Sequence, residues 1–262
     1  MRNQQLSYII LGILILIVSC SRDLEKPSKI DYTKWGEFQG GPDRNQYSTL
    51  SQITLDNVKD LKLAWSHSLP DSGQMQMNPI IVDDVLYGIG ADMRPFALNA
   101  ATGEGIWIHG DPLKAWHSNS RGVAYWSKGT DKRIYYGMGP HLYAIDALTG
   151  ESIKDFADNG RLDLHKGLPE NAQEKFLGSS TPGTIYGDLI IVPLRTSEGN
   201  DAAPGDIRAF NVMTGELVWT FHTIPYPGEE GYETWENKEA YKNTKVGGVN
   251  NWCGMTIDRE NG

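Results

Sequence analysis

The sequence predicts an all-β protein built from small antiparallel sheets. The 262-residue chain is rich in residues that form turns and strands, with 29 glycines, 13 prolines, 12 tyrosines and 8 tryptophans. Such a composition favours short strands joined by turns over long helices. In addition, one strand, turn and strand pattern recurs along the chain, at 96–107, 143–154 and 209–221.

The recurring segments share the sequence pattern of a β-hairpin. They read FALNAATGEGIW, YAIDALTGESIK and AFNVMTGELVWTF, so Asn or Asp is followed after two residues by Thr-Gly-Glu and a second strand. The Thr-Gly pair can supply the positive φ of a tight turn. Trp107 and Trp219 fall four residues after the turn glycine, where a large ring can dock onto the neighbouring unit. Lys154 holds that place in the middle copy, where docking is expected to be lost.

Each copy follows one more predicted strand, at 82–90, 131–139 and 187–194, so the repeating unit is a small antiparallel sheet, and blades of four strands are expected. Units of about 45–65 residues are typical of a β-propeller, because one such sheet cannot bury both faces alone. A β-sandwich is the alternative. Segment 61–69, LKLAWSHSL, is expected to complete the first blade. About four blades then lie between residues 35 and 262, fewer than a closed ring needs, so the front part of a longer protein is expected.

The N-terminus predicts a bacterial lipoprotein. Residues 1–19 read as a signal peptide, because the apolar run at 8–18 is short for a membrane span and Cys20 follows closely. IVSC resembles a lipobox that would leave Cys20 lipidated, with 20–34 as lipidated cysteine and tether. An ordinary signal peptide with an incidental cysteine is the alternative. Ser21 suggests export to the outer membrane of the cell envelope, facing the periplasm.

Charge and cysteine content argue against a nucleic-acid-binding surface and against an intramolecular disulfide. The formal net charge is −9, and no cluster of Lys and Arg with interleaved aromatic residues is present, so no nucleic-acid surface is expected. Cleavage before Cys20 would leave Cys253 as the other cysteine of the mature chain, so an intramolecular disulfide between core cysteines is not expected.

Four segments besides the repeat resemble the pyrroloquinoline-quinone (PQQ)-dependent dehydrogenases, with quinoprotein glucose dehydrogenases as the nearest likeness. They are WGEFQGGPDRNQYSTLSQITLDNVKDLKLAW (35–65), RGVAYW (121–126), FHTIPYPGEEGYETW (221–235) and GGVNNWCGMTID (247–258). The resemblance implies that 35–262 is an incomplete PQQ-binding propeller, eight-bladed at full length. It also implies PQQ with Ca²⁺ or Mg²⁺, oxidation of an aldose or polyol, and transfer of electrons to a membrane quinone or cytochrome.

The resemblance also implies cofactor contacts. Arg121 can pair with a carboxylate or quinone oxygen, and Trp252 corresponds to the tryptophan on which the planar quinone lies. The structural alternatives are a surface arginine with a buried stem and a core tryptophan between blades. Asn250 is expected to share a strand face with Trp252. The full set of expected cofactor contacts is Gln76, His117, Arg121, Ser180, Asn250 and Trp252.

Three of these residues differ from the pattern of some relatives or are chosen among neighbours. Gln76 departs from the glutamate that is common in relatives. His117 matches a histidine of glucose dehydrogenases, whereas alcohol-oxidising relatives carry adjacent cysteines, and this difference favours a sugar or polyol. Ser180 is chosen from Ser179, Ser180 and Thr181, whose register the sequence leaves open.

Glu198 falls where the family places an acidic metal ligand, with Asp201 and Asp206 close by and an exposed loop glutamate as the structural alternative. The family's general base, an aspartate, has no counterpart before Gly262, so this chain alone is expected not to turn over. A non-catalytic, lipid-anchored propeller scaffold of outer-membrane protein assembly is the alternative function, and a degenerate sugar-binding propeller is a third.

Overall fold

A computed structural model describes residues 30–70, 72–112, 119–243 and 245–259. Within these residues the regular structure consists of β-strands and single turns of 3-10 helix, and no helix is long and apolar enough to cross a bilayer. The strands are β1 Ile80–Val82, β2 Val85–Ile89, β3 Pro95–Asn99, β4 Gly105–Ile108, β5 Ala124–Lys128, β6 Asp131–Met138, β7 His141–Asp146, β8 Arg161–Asp163, β9 Leu177–Gly178, β10 Thr184–Tyr186, β11 Leu189–Val192, β12 Arg195–Thr196, β13 Ile207–Asn211 and β14 Leu217–Phe221. The 3-10 turns are Phe38–Gly40, Val58–Asp60, Glu170–Ala172, Tyr232–Thr234 and Ala240–Lys242.

The strands form four-stranded antiparallel blades, as the sequence predicts. Blade 1 has the order β1-β2-β3-β4, blade 2 the order β5-β6-β7-β8, and blade 3 the order β10-β11-β13-β14. Strands β9 and β12 pair separately as a two-stranded ribbon. The described residues thus contain three complete blades, against the expected count of about four.

Blade 1 is complete without segment 61–69, so the prediction that this segment supplies one of its strands is wrong. The segment forms no strand. Its tryptophan docks on blade 1 instead: Trp65 Nε1 donates to the Ala100 carbonyl at 3.1 Å, and the ring lies directly against Gly103. Trp65 therefore covers the turn glycine of blade 1. In a series of blades, the tryptophan on the fourth strand of the preceding blade would make this contact.

The recurring Asn/Asp-x-x-Thr-Gly-Glu sequence forms the turn between the third and fourth strands. The Asn99 side-chain oxygen accepts from the N–H groups of Ala101 and Thr102, both at 3.0 Å. Gly103 has φ 74°, and its N–H donates to the Asn99 carbonyl. These contacts recur at the other two copies, with Asp146 and Gly150 in blade 2 and Asn211 and Gly215 in blade 3.

Ring docking onto the turn glycine joins successive blades. The Trp107 ring of blade 1 packs on Gly150 of blade 2, as predicted. The predicted loss of docking at Lys154 is wrong, because Phe156 lies against Gly215 of blade 3 and is itself fully buried. A residue two positions further along the chain therefore fills the same contact.

The core consists of two face-to-face interfaces between blades. Strand β6 is buried on both faces because successive side chains alternate: Ile134 and Tyr136 pack towards blade 1, and Tyr135 packs towards blade 3. The Tyr135 hydroxyl donates to the Val212 carbonyl at 2.6 Å, which ties blade 2 to blade 3. Strands within each blade alternate in direction, so several connections leave the blades at one end. These are residues 109–112 and 119–123, residues 164–183, residues 193–206 and the residues that follow β14.

Candidate functional site

Arg121 lies at that end, in the connection from blade 1 to blade 2. Its carbonyl accepts from the Asn78 N–H at 2.9 Å, and its own N–H donates to the Ser180 carbonyl at 2.7 Å. Its Nη1 donates to the hydroxyls of Ser180 at 3.1 Å and Thr181 at 3.2 Å. Hydrogen bonds thus hold both the backbone and the side chain of Arg121, and the residue is partly buried.

Trp252 is linked to Arg121 through Thr181. The Thr181 hydroxyl, on a side chain that is 3% exposed, donates to the Trp252 carbonyl at 2.9 Å. The Arg121 Cζ lies 5.7 Å from the Trp252 ring centroid, within the range of a cation–π contact. The Trp252 residue is 52% exposed, so within the described residues it is not a core tryptophan between blades.

Close backbone contacts hold the segment that carries Trp252. The Gly205 N–H donates to the Gly248 carbonyl at 2.8 Å, and the Gly248 N–H donates to the Ala203 carbonyl at 2.9 Å. A Cβ on Gly205 would lie 2.5 Å from the Asn250 nitrogen, so only glycine permits this approach. The segment forms no strand, contrary to the expectation for Asn250 and Trp252.

Asn250 and Trp252 nevertheless line one open cavity of about 300 Å³, together with Glu198. The cavity lies between loop 195–200 and segment 247–250. Asn250 is fixed by two contacts: its Nδ2 donates to the Leu194 carbonyl at 2.7 Å, and its Oδ1 accepts from the Thr196 hydroxyl at 3.1 Å. Glu198 is exposed on the loop, as the structural alternative for this residue has it, and lines the cavity together with Trp252.

The remaining residues predicted from the sequence have fewer contacts with Arg121 and Trp252, or none. Gln76 is half-buried and forms no hydrogen bond with the part of the chain that the structure describes, although Asn78, two residues on, is bonded to Arg121. The Ser179 hydroxyl donates to the Thr181 carbonyl at 3.3 Å and is buried, so of this trio Ser180 and Thr181 meet Arg121. His117 and Cys20 lie outside the described residues.

Arg44 is a neighbour of the site that the sequence did not single out. Its Nη2 donates to the Thr184 hydroxyl at 2.7 Å, and its Cζ lies 5.0 Å from the Phe38 ring centroid. Burial lowers the pKa of the guanidinium. Gly254 passes so close that a Cβ there would lie 2.5 Å from Arg44 Nη1. Arg44 thus supports the chain just after Trp252, a long-range contact for which the local sequence carries no signal.

Buried hydroxyl groups form another part of the site. Thr181, one of the three residues of GSSTP left open in the sequence, bridges Arg121 and Trp252. Thr196, which the sequence did not single out, donates to Asn250, and the hydroxyl-rich run RTSE after a strand-like segment is the signal that could have found it. Within the described ranges, no group of three or more His, Cys, Asp or Glu side chains could hold a metal ion, so Glu198 stands as a single candidate ligand.

Three packed four-stranded blades with this polar site at one end define a β-propeller domain. Residues 35–262 match the family model described as "PQQ: Glucose/ethanol/alcohol dehydrogenase, beta-propeller domain". The chain therefore belongs to the family of PQQ-dependent dehydrogenase propellers. The description of the family names PQQ as its cofactor and dehydrogenation as its reaction.

Individual relatives differ in the substrates that their names state. The chain is 32% identical to the quinoprotein glucose dehydrogenase of Escherichia coli over 218 residues, which cover 73% of this chain and 27% of that protein. It is 29% identical over 250 residues to the dehydrogenase subunit of a quinone-linked alcohol dehydrogenase of Gluconobacter oxydans, covering 86% and 31%. A quinohemoprotein alcohol dehydrogenase structure from Pseudomonas putida HK5 superposes with TM-score 0.69 at 25% identity, covering 87% and 33%. The chain thus spans about a third of these proteins.

Proposed function

We propose that this chain supplies part of the PQQ site of a dehydrogenase that oxidises a sugar or polyol and passes the electrons to a membrane quinone or a cytochrome. The relatives named above act on glucose or alcohols, and others carry the names glycerol dehydrogenase and quinate/shikimate dehydrogenase. The observation that carries the proposal is the connected set Arg121, Thr181 and Trp252 beside a cavity that Glu198 and Asn250 also line.

The residues present fit the cofactor. PQQ is planar and carries carboxylates and an ortho-quinone, which accepts the electrons of the substrate when the cofactor is bound. A half-exposed indole offers a flat apolar platform, and the Arg121 guanidinium with the Ser180 hydroxyl offers donors for anionic oxygens. Trp252 would therefore bear the ring system, and Arg121 and Ser180 would orient its oxygens.

Glu198 would hold the divalent cation, Ca²⁺ or Mg²⁺, at the same cavity. Hard cations take carboxylate and amide oxygens, and Asn250 keeps a second lone pair on the oxygen that accepts from Thr196. One carboxylate cannot complete such a site, since Ca²⁺ takes six to eight oxygen ligands. The cofactor and parts of the protein beyond the described residues would supply the others.

Binding of PQQ is the direct test. Isothermal titration of the purified chain with PQQ, with and without Ca²⁺, should give a dissociation constant for the wild type and for the matched variant Trp219→Ala, whose tryptophan is 38% exposed on blade 3. Trp252→Ala should weaken binding at least tenfold. Absence of binding by the wild type would favour the scaffold function, whereas binding that Trp252→Ala leaves unchanged would reject the indole platform.

We also propose that the protein is a lipoprotein of the bacterial outer membrane, anchored through Cys20. The support is the lipobox-like IVSC and the serine that follows it. Expression in a bacterium with radiolabelled palmitate should label the wild type and Cys253→Ser and leave Cys20→Ser unlabelled. Label on Cys20→Ser, or none on the wild type, would reject the anchor.

A further inference from the structure

The two-stranded ribbon brings an arginine to the wall of the cavity. Arg195 pairs with Gly178 across the ribbon, and Thr196 pairs with Leu177. Arg195 lines the cavity together with Asn250 and Trp252. Strand pairing fixes the backbone of Arg195, so its side chain projects from an ordered element. The same ribbon holds Asn250 through the hydroxyl of Thr196.

The guanidinium of Arg195 is stacked but keeps its donors. Its Cζ lies 5.7 Å from the ring centroid of Phe176, which is 54% exposed. It forms neither an ion pair nor a hydrogen bond with the part of the chain that the structure describes. By contrast, the guanidinium of Arg133 donates to Asp131, and that of Arg208 donates to the Leu164 carbonyl.

An arginine in this state is suited to bind a carboxylate. The planar fork of a guanidinium presents parallel N–H donors that match both carboxylate oxygens. Stacking on Phe176 restricts the rotamers of Arg195, so less entropy is lost when an anion binds. Arg195 is the arginine that lines this cavity, whereas Arg121 lies beside it. The guanidinium donors of Arg195 are therefore placed for a ligand in the cavity.

Glu198 lines the same cavity, and its negative charge would weaken the binding of an anion there. The cation proposed above at Glu198 would remove that repulsion. Binding of an anion at Arg195 should therefore be stronger when Ca²⁺ is present.

We infer that the substrate carries a carboxylate in addition to the hydroxyl that is oxidised, and that Arg195 pairs with this carboxylate and so determines specificity. The inference rests on the proposed function and narrows its substrate to the class of sugar acids and polyhydroxy acids. No bond forms or breaks at Arg195, which orients the substrate in the cavity.

D-glucuronate and D-glucose form a matched pair of probes, because they share one ring and differ by a carboxylate in place of a CH₂OH group. Ligand-observed NMR titration of the full chain with Ca²⁺ and PQQ would give both dissociation constants. The variants are Arg195→Gln, Arg195→Lys and, as a control, Arg161→Gln. Arg161 is exposed on β8, lies 3.6 Å from Asp158 and is outside the cavity wall.

The wild type and Arg161→Gln should bind glucuronate about tenfold more tightly than glucose, which corresponds to ~1.4 kcal/mol. Arg195→Gln should abolish this preference and leave the affinities for glucose and PQQ unchanged, and Arg195→Lys, which keeps the charge without the fork, should retain part of it. Omission of Ca²⁺ should reduce the preference.

Three results would overturn the inference: equal binding of the two probes by the wild type, a preference that survives in Arg195→Gln, or a loss of PQQ affinity in Arg195→Gln with the preference intact. The last result would mean that Arg195 meets a carboxylate of the cofactor. A wild type that does not bind PQQ would reject the proposed function and the inference together, whereas PQQ binding with equal sugar affinities would reject the inference alone.

Discussion

The ring of Trp107 lies so close to Gly150 that a Cβ on the glycine would come within 2.8 Å of the ring carbon Cδ2. The indole Nε1 also donates to the Ala147 carbonyl at 3.0 Å. One side chain of blade 1 therefore both covers and hydrogen-bonds the turn of blade 2. The contact explains why the repeat has glycine after threonine: the glycine provides the left-handed φ of 74° and also the space for the ring.

Gly150→Ala should destabilise the protein more than the backbone conformation alone requires. Left-handed φ costs an alanine about 1 kcal/mol, and displacing the docked ring adds a packing cost of about 1–3 kcal/mol. Urea denaturation measures the sum. Gly129→Ala is the matched control, because Gly129 has φ 62° and a Cβ added there would have no other atom within 4 Å. Equal losses in the two variants would show that the ring contributes nothing.

The hairpins of the blades could be predicted because their determinants are local. In Asp146, Thr149 and Gly150, one short run carries the side-chain oxygen, the hydroxyl and the left-handed residue that close the turn. Strand alternation then follows from the flanking residues. Such features need no knowledge of the rest of the chain.

What the sequence reasoning missed depends on contacts between distant residues. Trp65 looked like part of a strand, but its role is to cover Gly103, 38 residues further along the chain. Phe156, two residues beyond Lys154, fills the position predicted to be empty by packing on Gly215 of the next blade. The sequence predicts a strand that carries Asn250 and Trp252, yet the backbone hydrogen bonds of this segment join Gly248 to loop residues Ala203 and Gly205 and not to a neighbouring strand.

The residues of the candidate site also fall into those that the local sequence indicates and those that depend on contacts between distant segments. Arg121 and Trp252 were found because their residue types suit a planar anionic cofactor and the surrounding motifs resemble a known family. Thr181 could be named only as an alternative to Ser180, and Thr196 and Arg44 were not found, because a hydroxyl or guanidinium that bridges two segments looks ordinary in each segment alone.

Gly205→Ala should displace the segment that carries the site. The added methyl group would meet the backbone of Asn250 at 2.5 Å and could not be relieved by a side-chain rotation. We expect a loss of about 2–4 kcal/mol in urea denaturation and faster amide hydrogen exchange at 246–254. Gly36→Ala is the control, because its Cβ would lie 3.5 Å from the nearest side-chain atom. Unchanged exchange at 246–254 would contradict the role given to Gly205.

Thr181→Val tests the link between Arg121 and Trp252. The substitution keeps the shape of the side chain but leaves the Trp252 carbonyl without its donor and Arg121 with one hydroxyl fewer. Loss of a buried partner costs about 1–3 kcal/mol. The exposed Thr149→Val, which loses one bond from the Glu151 N–H at 3.2 Å, should cost less than about 1 kcal/mol. Thermal or urea denaturation that ranks the two variants in the opposite order would exclude Thr181 as the buried bridge.

Stability should fall in alkali because buried tyrosines resist ionisation in the folded state. Burial raises the pKa of Tyr87 to about 12 and also raises the pKa values of Tyr135 and Tyr136. In the unfolded chain a tyrosine ionises near pH 10, about its ordinary value. The free energy of unfolding should therefore be constant below about pH 10 and then decrease by up to about 1.4 kcal/mol per pH unit for each of these tyrosines. Urea titrations between pH 8 and 11.5 would measure this slope.

Tyr136→Phe keeps the ring stacked on Tyr143 and should reduce the slope by the share of one tyrosine. Ile134→Val should lower stability at every pH and leave the slope unchanged. A Tyr136→Phe slope equal to that of the wild type would mean that Tyr136 ionises alike in the folded and unfolded states.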